Sequence, residues 1–367
     1  MTVTSLGPSH VRNLLVRGTN WAGDTVISLP AARELRRIFA HARITFWAPE
    51  NLAPLVAYAG VCDDVIAIPS HQRDPFTRSF RMAKRLAACS FDMVVLFQNA
   101  FESAFTSWLA GIPVRAGYPT DLRGPFLNLK IPFPKNIRGV HQVFYYLGIT
   151  DFIESLWPGS GPTRRDDPDC RIQFRPQDVE AAAALIAALG GAGEAPWFCL
   201  CPGSANSEAK RWPPDYFAKL ADALTEKLGA QVIFCGAPSE APLIDRVISM
   251  QKRPGAINLA GKTDMLGMMG VMSLAQMVVS NDTGSAHLAA AASSKVLTLF
   301  GPTSPGATAP LGATSYTIQG AAPCAPCRHF KCPKPDHPCM RNLTPAMVLA
   351  EIESLLMQED SCSRSRP

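Results

Sequence analysis

No uninterrupted apolar run in this 367-residue chain approaches the roughly 20 residues that cross a bilayer. Met1 to Arg12 also lack the apolar h-region of a secretory signal, so a cytoplasmic location is expected. Charge is scarce, 18% of residues against 47% apolar, which excludes a disordered chain and describes a well-packed soluble protein. The G-x-G-x-x-G dinucleotide fingerprint is missing: Gly18 and Gly23 stand five apart after the first strand-like run, and no acidic residue follows at the expected place. No basic motif interleaved with aromatics is present, so nucleic acid is not an expected partner. The net charge of +5 sits wholly in the first half, where 20 Lys and Arg face 14 Asp and Glu through residue 175. Much of that excess is Arg73, Arg78, Arg81, Lys84 and Arg85. It suits an acidic partner such as phosphorylated lipid or an anionic sugar, or equally a solvated helix face.

What the chain does have is one pattern repeated: an apolar run of strand length, a polar turn with glycine, a helix. Its clearest instance is Met277-Val278-Val279-Ser280-Asn281-Asp282-Thr283-Gly284-Ser285-Ala286-His287 with the alanine-rich run after it. At such a turn the first N–H groups of the helix lack partners and the helix dipole adds positive charge, which makes an anion site usually filled by phosphate. Asp282 and Thr283 can cap the helix or bond a ligand, Gly284 lets a phosphate or sugar approach, and His287 lies one turn on from Thr283. A capped helix with a core histidine accounts for the same residues. Lys295 to Phe300 is another strand-like run, ending in Gly301-Pro302-Thr303-Ser304-Pro305-Gly306. Adjacent strand ends of this kind form the crevice in which open α/β sheets bind ligands.

Toward the N-terminus, Asn13 to Arg17 reads as a strand, followed by Gly18 to Asp24 and a helix from Thr25 to Phe39. Asp24 is either an N-cap or a carboxylate held at a strand's end, able to take a proton from a substrate hydroxyl. Strand-like runs at Arg43–Trp47, Val65–Ile68 and Asp92–Phe97 alternate with helical stretches at Phe76–Ala88 and Ser103–Leu109. A loop from Pro119 to Arg138 precedes the helical His141–Leu147, and Pro, Gly and charged residues crowd between Trp157 and Pro176 as in a linker. A second round follows: helix Pro176–Leu189, then strands Trp197–Cys201, Val232–Cys235 and Ile257–Leu259, with Lys210 and Arg211 in the loop after the first of these. Helix Thr344–Met357 closes the chain. Alternation of strand and helix predicts an α/β protein with parallel sheets covered on both faces. The expected domains are residues 1–170, residues 171–345, and a C-terminal helix and tail over 346–367.

Five motifs in order resemble one family: Trp21-Ala22-Gly23-Asp24; Asn99 with Ala110-Gly111-Ile112-Pro113; Cys201-Pro202-Gly203-Ser204 with Ala209-Lys210-Arg211-Trp212-Pro213; Asn281-Asp282-Thr283-Gly284 with His287; and Gly301-Pro302-Thr303-Ser304-Pro305. The set is similar to the ADP-heptose:lipopolysaccharide heptosyltransferases, glycosyltransferase family nine, from about Asn13 to Met357. The resemblance implies a GT-B fold of two Rossmann-like domains, with acceptor bound mainly by the first and nucleotide sugar by the second. It implies that Asp24 is the general base of an inverting transfer. Donor contacts are implied for Lys210, Glu240, Thr263, Asp282, Thr283, Gly284 and His287, and acceptor contacts for Asn99 and Arg123. The implied partners are ADP-heptose and a lipopolysaccharide core acceptor, heptosyl-Kdo2-lipid A, met by a cytoplasmic enzyme peripheral to the inner membrane. No cofactor is expected for catalysis, in line with the lack of a D-x-D pair near the donor site. A family enzyme with another donor or acceptor sugar, or a silent nucleotide-sugar-binding protein, fits the same motifs.

One cluster falls outside that pattern. Cys324, Cys327, Cys332 and Cys339 place four of the 11 cysteines within 16 residues, with His329 and His337 between them. Such spacing in a cytosolic chain suggests a structural zinc before it suggests disulfides, though it lacks a second C-x-x-C and free thiols in a Pro-rich loop remain the other reading.

Overall fold

A computed structural model describes residues 7–69, 74–134, 139–157, 167–191 and 195–364. Arg73 and residues 158–166 of the expected linker lie outside the described residues. Contacts divide the chain into two compact units, Met1–Cys170 and Arg171–Pro367.

In the first unit, strands β1 (Asn13–Arg17), β2 (Arg43–Pro49), β3 (Asp64–Ile68), β4 (Met93–Leu96), β5 (Val114–Gly117) and β6 (Leu129–Lys130) form one sheet. Its order is β3-β2-β1-β4-β5-β6 and every pairing is parallel. Helices α1 (Ala22–Ile38), α2 (Ala53–Tyr58), α3 (Pro75–Ala87), α4 (Phe101–Leu109) and α5 (Val143–Glu154) connect and cover it. A sheet covered on both faces must be apolar on both, and β1 and β4 are accordingly unbroken buried runs rather than alternating ones. Leu15, Val94, Leu96, Met82, Leu86 and Ala104 share one core with Trp47 and Leu127.

The second unit repeats the design. Strands β7 (Trp197–Cys201), β8 (Gln231–Phe234), β9 (Ile257–Asn258), β10 (Met277–Asn281), β11 (Val296–Phe300) and β12 (Ser315–Gln319) pair in parallel in the order β12-β11-β10-β7-β8-β9. Counted from its own first strand, that is the order of the first unit. Helices α6 (Pro176–Ala188), α7 (Pro214–Leu228), α8 (Ala241–Ser249), α9 (Met265–Leu274), α10 (Gly284–Ala291), α11 (Pro305–Thr308), α12 (Pro338–Arg341) and α13 (Pro345–Arg364) complete it. The C-terminal helix is built into this unit: Val348, Leu349, Ile352 and Leu355 share its core with Phe217 and Leu224 of α7. In each sheet the strand order reverses at one pair, β1/β4 and β7/β10, and open α/β sheets bind ligands beyond the carboxyl ends of such a pair.

Candidate active site

In the first unit, the candidate residues start where β1 ends. Trp21, extended at φ −123° and ψ 143°, is the N-cap of α1, and its side chain makes no capping hydrogen bond. The helix therefore begins at Ala22, three residues earlier than the sequence suggests, and Asp24 lies inside the first turn rather than capping it. A carboxylate there is favoured by the helix dipole. Gln142, at the N-cap of α5, donates its Nε2 to Asp24 Oδ1 at 3.0 Å. Burial first, and the charge of Asp24 second, hold the Tyr146 phenol well above its ordinary pKa, while a hydrogen bond with Gln142 opposes them. Gln142 thus ties the half-buried carboxylate to a buried phenol that stays protonated.

Asn99 and Arg123 meet beside the end of β4, but in different roles. Arg123 is fully buried and donates to the carbonyls of Tyr118 and Gln98 and to Asn99 Oδ1. Burial lowers its pKa to about 10. The expectation that Arg123 reaches an acceptor gives way to a positioning role, since these inward bonds occupy its guanidinium. Asn99 Oδ1 also accepts from the Tyr145 hydroxyl at 2.8 Å, so two donors orient the half-buried amide. A second buried guanidinium, Arg17, bonds Gly18 O and Asn20 Oδ1 and lies 5.0 Å from the Trp47 ring centroid. It shapes the turn that leads to Asp24.

In the second unit, β7 and β10 are neighbours, so the loops that follow them lie side by side. Lys210 Nζ sits 2.8 Å from Asp282 Oδ2, and Thr303 Oγ1 donates to the same oxygen at 2.6 Å. Asp282 is buried, with its side chain only 4% exposed, whereas that of Lys210 is 26% exposed. Thr283 is the N-cap of α10 and Ala286 N bonds Thr283 O. The N–H groups of Gly284 and Ser285 then have no partner within the helix. His287 is on the same helix and buried. Asn281 stitches the two loops together, accepting from Trp212 N and donating to the carbonyls of Pro202 and Gly203. Arg211 turns back onto Ser204 O and closes its own loop.

Glu240 lies after β8, where its Oε2 accepts from Ala237 N at 2.9 Å. Its carboxylate rests directly over Gly203, so that a methyl group on Gly203 would overlap it. Lys210, Asp282, Thr303, Glu240 and the start of α10 thus stand at the carboxyl ends of β7, β8, β10 and β11. Thr263 follows β9, the outermost strand on that side, next to Asp264, which caps α9 through Gly267 N at 2.7 Å.

The cysteine-rich segment packs against these loops. Phe330 O accepts from Ala209 N and from Ser207 Oγ, His337 Nε2 is 2.8 Å from Ala209 O, and Arg328 N bonds Pro302 O. A methyl group on Gly301 would strike the Met340 sulfur, so the loop after β11 and α12 pack closely there. Cys324, Cys327, Cys332 and Cys339 are free thiols, and among the described residues no group of three or more His, Cys, Asp or Glu is placed to hold a metal ion. Burial, then the neighbouring Cys327, Cys332 and Cys324, push the Cys339 thiol up to about 11.

Two Rossmann-like units in one chain, each with polar loops at the carboxyl ends of its strands, define the GT-B class. The chain belongs to glycosyltransferase family 9 (heptosyltransferase), whose description matches residues 79–337. It is 26% identical over 354 residues to lipopolysaccharide heptosyltransferase 2 of Escherichia coli K12, covering 95% of this chain and 99% of that one. Lipooligosaccharide heptosyltransferase 2 of Haemophilus influenzae is 28% identical over 360 residues, covering 94% and 99%. The solved structure of E. coli ADP-heptose lps heptosyltransferase II has the same fold, with a TM-score of 0.79 at 24% identity over 95% of this chain and 99% of that one.

Proposed function

We propose that the chain transfers heptose from ADP-L-glycero-β-D-manno-heptose to heptosyl-Kdo2-lipid A of the lipopolysaccharide inner core, with inversion at the anomeric carbon. The observation that carries this reading is the arrangement after β7, β10 and β11: a partly exposed lysine held by a buried aspartate, beside the open N-terminus of α10. The acceptor hydroxyl attacks the anomeric carbon from the face opposite the diphosphate while Asp24 takes its proton. The bond from that carbon to the diphosphate oxygen breaks, and ADP leaves carrying the electrons. Charge grows on the diphosphate in the transition state, so fixed donors aimed there, Lys210 Nζ and the N–H groups of Gly284 and Ser285, lower the barrier most. Glu240 suits the hydroxyls of the donor's ribose or heptose, and Thr263 the adenosine end. Asn99 and its supports Arg123 and Tyr145 suit the acceptor. The similarity to two heptosyltransferases 2 supports this choice of donor and acceptor. The site of action is the cytoplasmic side of the inner membrane, with the protein attached peripherally; among the described residues no helix is long and apolar enough to cross it.

The test is a transfer assay with ADP-heptose and a core acceptor already bearing one heptose. Asp24→Asn should lose transfer and keep ADP binding; a fully active variant removes Asp24 as the base. Wild-type protein that binds ADP-heptose without transferring it points to another acceptor or to a silent binding protein. Because charge neutralisation is assigned to Lys210 and backbone N–H groups, transfer should persist in excess chelator. Loss of activity that added divalent metal restores would move that role to a metal.

A further inference from the structure

The first unit carries an aromatic surface that the reaction does not use. Phe101, Phe105 and Trp108 recur on α4 at helical spacing and therefore share one face. Phe105 stacks on Phe101 at 5.7 Å and on Trp108 at 6.1 Å between ring centroids. Phe126 meets all three rings edge-on, and Phe80 of α3 adds a fifth ring 6.4 Å from Phe105. Phe80, Phe101 and Trp108 are 57%, 41% and 48% exposed, and the nearby loop puts Leu122 at 87%. Five touching rings with this much open surface are a patch rather than scattered apolar residues.

Its charged surround selects the partner. Helix α3 contains no acidic residue, and on it Arg81, Lys84 and Arg85 are exposed next to Phe80, with Lys84 one turn beyond that ring. Glu102, the acidic residue of α4, is occupied by a two-nitrogen pairing with Arg78. Exposed Asp121, beside Leu122, is the acidic neighbour on the loop side. Aromatic rings flanked by basic side chains match the interface of an anionic bilayer, where rings sit at headgroup depth and cations meet lipid phosphates.

We infer that α4, Phe126 and the basic face of α3 dock the first unit on an anionic phospholipid surface. The inference rests on the proposed lipid-anchored acceptor and adds the surface that meets the lipid. Position supports it. Asn99 directly precedes α4, and Arg123, which bonds Asn99, lies between Leu122 and Phe126. Docking by this patch sets the acceptor-side residues at headgroup level, where the sugar of a lipid-anchored acceptor emerges.

The experiment uses the full-length protein and flotation with vesicles of phosphatidylglycerol mixed with phosphatidylcholine, against phosphatidylcholine alone. Wild type should float with the anionic vesicles, and less so at high salt. Phe80→Ser with Trp108→Ser, and separately Arg81→Glu with Lys84→Glu and Arg85→Glu, should each reduce partitioning by about tenfold or more. Both variants should transfer heptose to a delipidated core oligosaccharide at the wild-type rate and lose about tenfold on acceptor embedded in vesicles. Undiminished flotation of both variants overturns the inference. So does a wild type that ignores anionic vesicles, or one whose patch instead holds a dimer that the aromatic variant dissociates in light scattering. Failure of wild type on the soluble acceptor would strike the proposed reaction and leave the flotation result standing.

Discussion

At the scale of single residues, the donor side depends on one missing methyl group. Glu240 rests its carboxylate over Gly203, so Gly203→Ala must push that side chain away, and the carboxylate end of a glutamate can move at little cost to folding. The variant should therefore fold with near wild-type stability and bind ADP-heptose about tenfold more weakly, a shift of about 1.4 kcal/mol. Calorimetric titration with ADP-heptose, beside a thermal melt, checks both halves. Unchanged affinity would remove Glu240 from the donor site. Arg123 carries the complementary lesson. Its residue type suits an anionic acceptor, but its burial and inward contacts arise from Tyr118, Gln98, Asn99 and Ser103 folding around it, which no local pattern encodes.

At the scale of elements, the segment from Phe330 to His337 is a brace for the loop that carries Lys210. His337, itself left-handed at φ 44°, reaches Ala209 O immediately before Lys210. His337→Ala should let that loop sample other positions, raising the KM for ADP-heptose several-fold while the acceptor KM stays constant. His337→Gln, which can still donate to the carbonyl, should recover part of the loss. Equal changes in both KM values would mean general damage instead. Buried parallel strands were the most legible elements because their apolar runs are unbroken: Asn13–Arg17 and Trp197–Cys201 have the bounds that their residues suggest. The edge strands β6 and β12 were illegible, the first being two residues within a Pro- and Gly-rich loop and the second a half-buried Ser-Tyr-Thr-Ile-Gln run. Asp282, Thr283 and Lys210 could be picked out from turn chemistry and motif order. Gln142 and Phe330 O could not, since each acts through a contact made across the fold or by a backbone atom, and Thr303, though part of a quoted motif, shows its bond to Asp282 only in the fold.

For the molecule as a whole, buried thiols tie stability to pH. Burial pushes the Cys170 thiol up to about 12 and the Cys62 thiol to about 11. Unfolded thiols ionise near about 8.5, so above that pH the unfolded chain releases protons that the folded chain keeps. Stability from this source is complete below about pH 8.5, and for the buried Cys170 it falls by about 1.4 kcal/mol per pH unit as the pH rises toward the folded value, less for the partly exposed Cys62. Cys170→Ala should lessen the fall of the urea midpoint between pH 8.5 and 10. An unaltered slope would show that Cys170 is not protected in the folded state.

Among the described residues no strand is exchanged between the two sheets: the first draws on residues 13 to 130 and the second on residues 197 to 319. Every partner of the first sheet has thus left the ribosome before the second sheet's first strand is made. The first unit can close during translation, hiding its unpaired strand edges while the rest of the chain is still being synthesised. The second sheet follows the same order. Its opening strand, β7, lies at the centre and must wait for β10, about 80 residues later, before both its edges are covered.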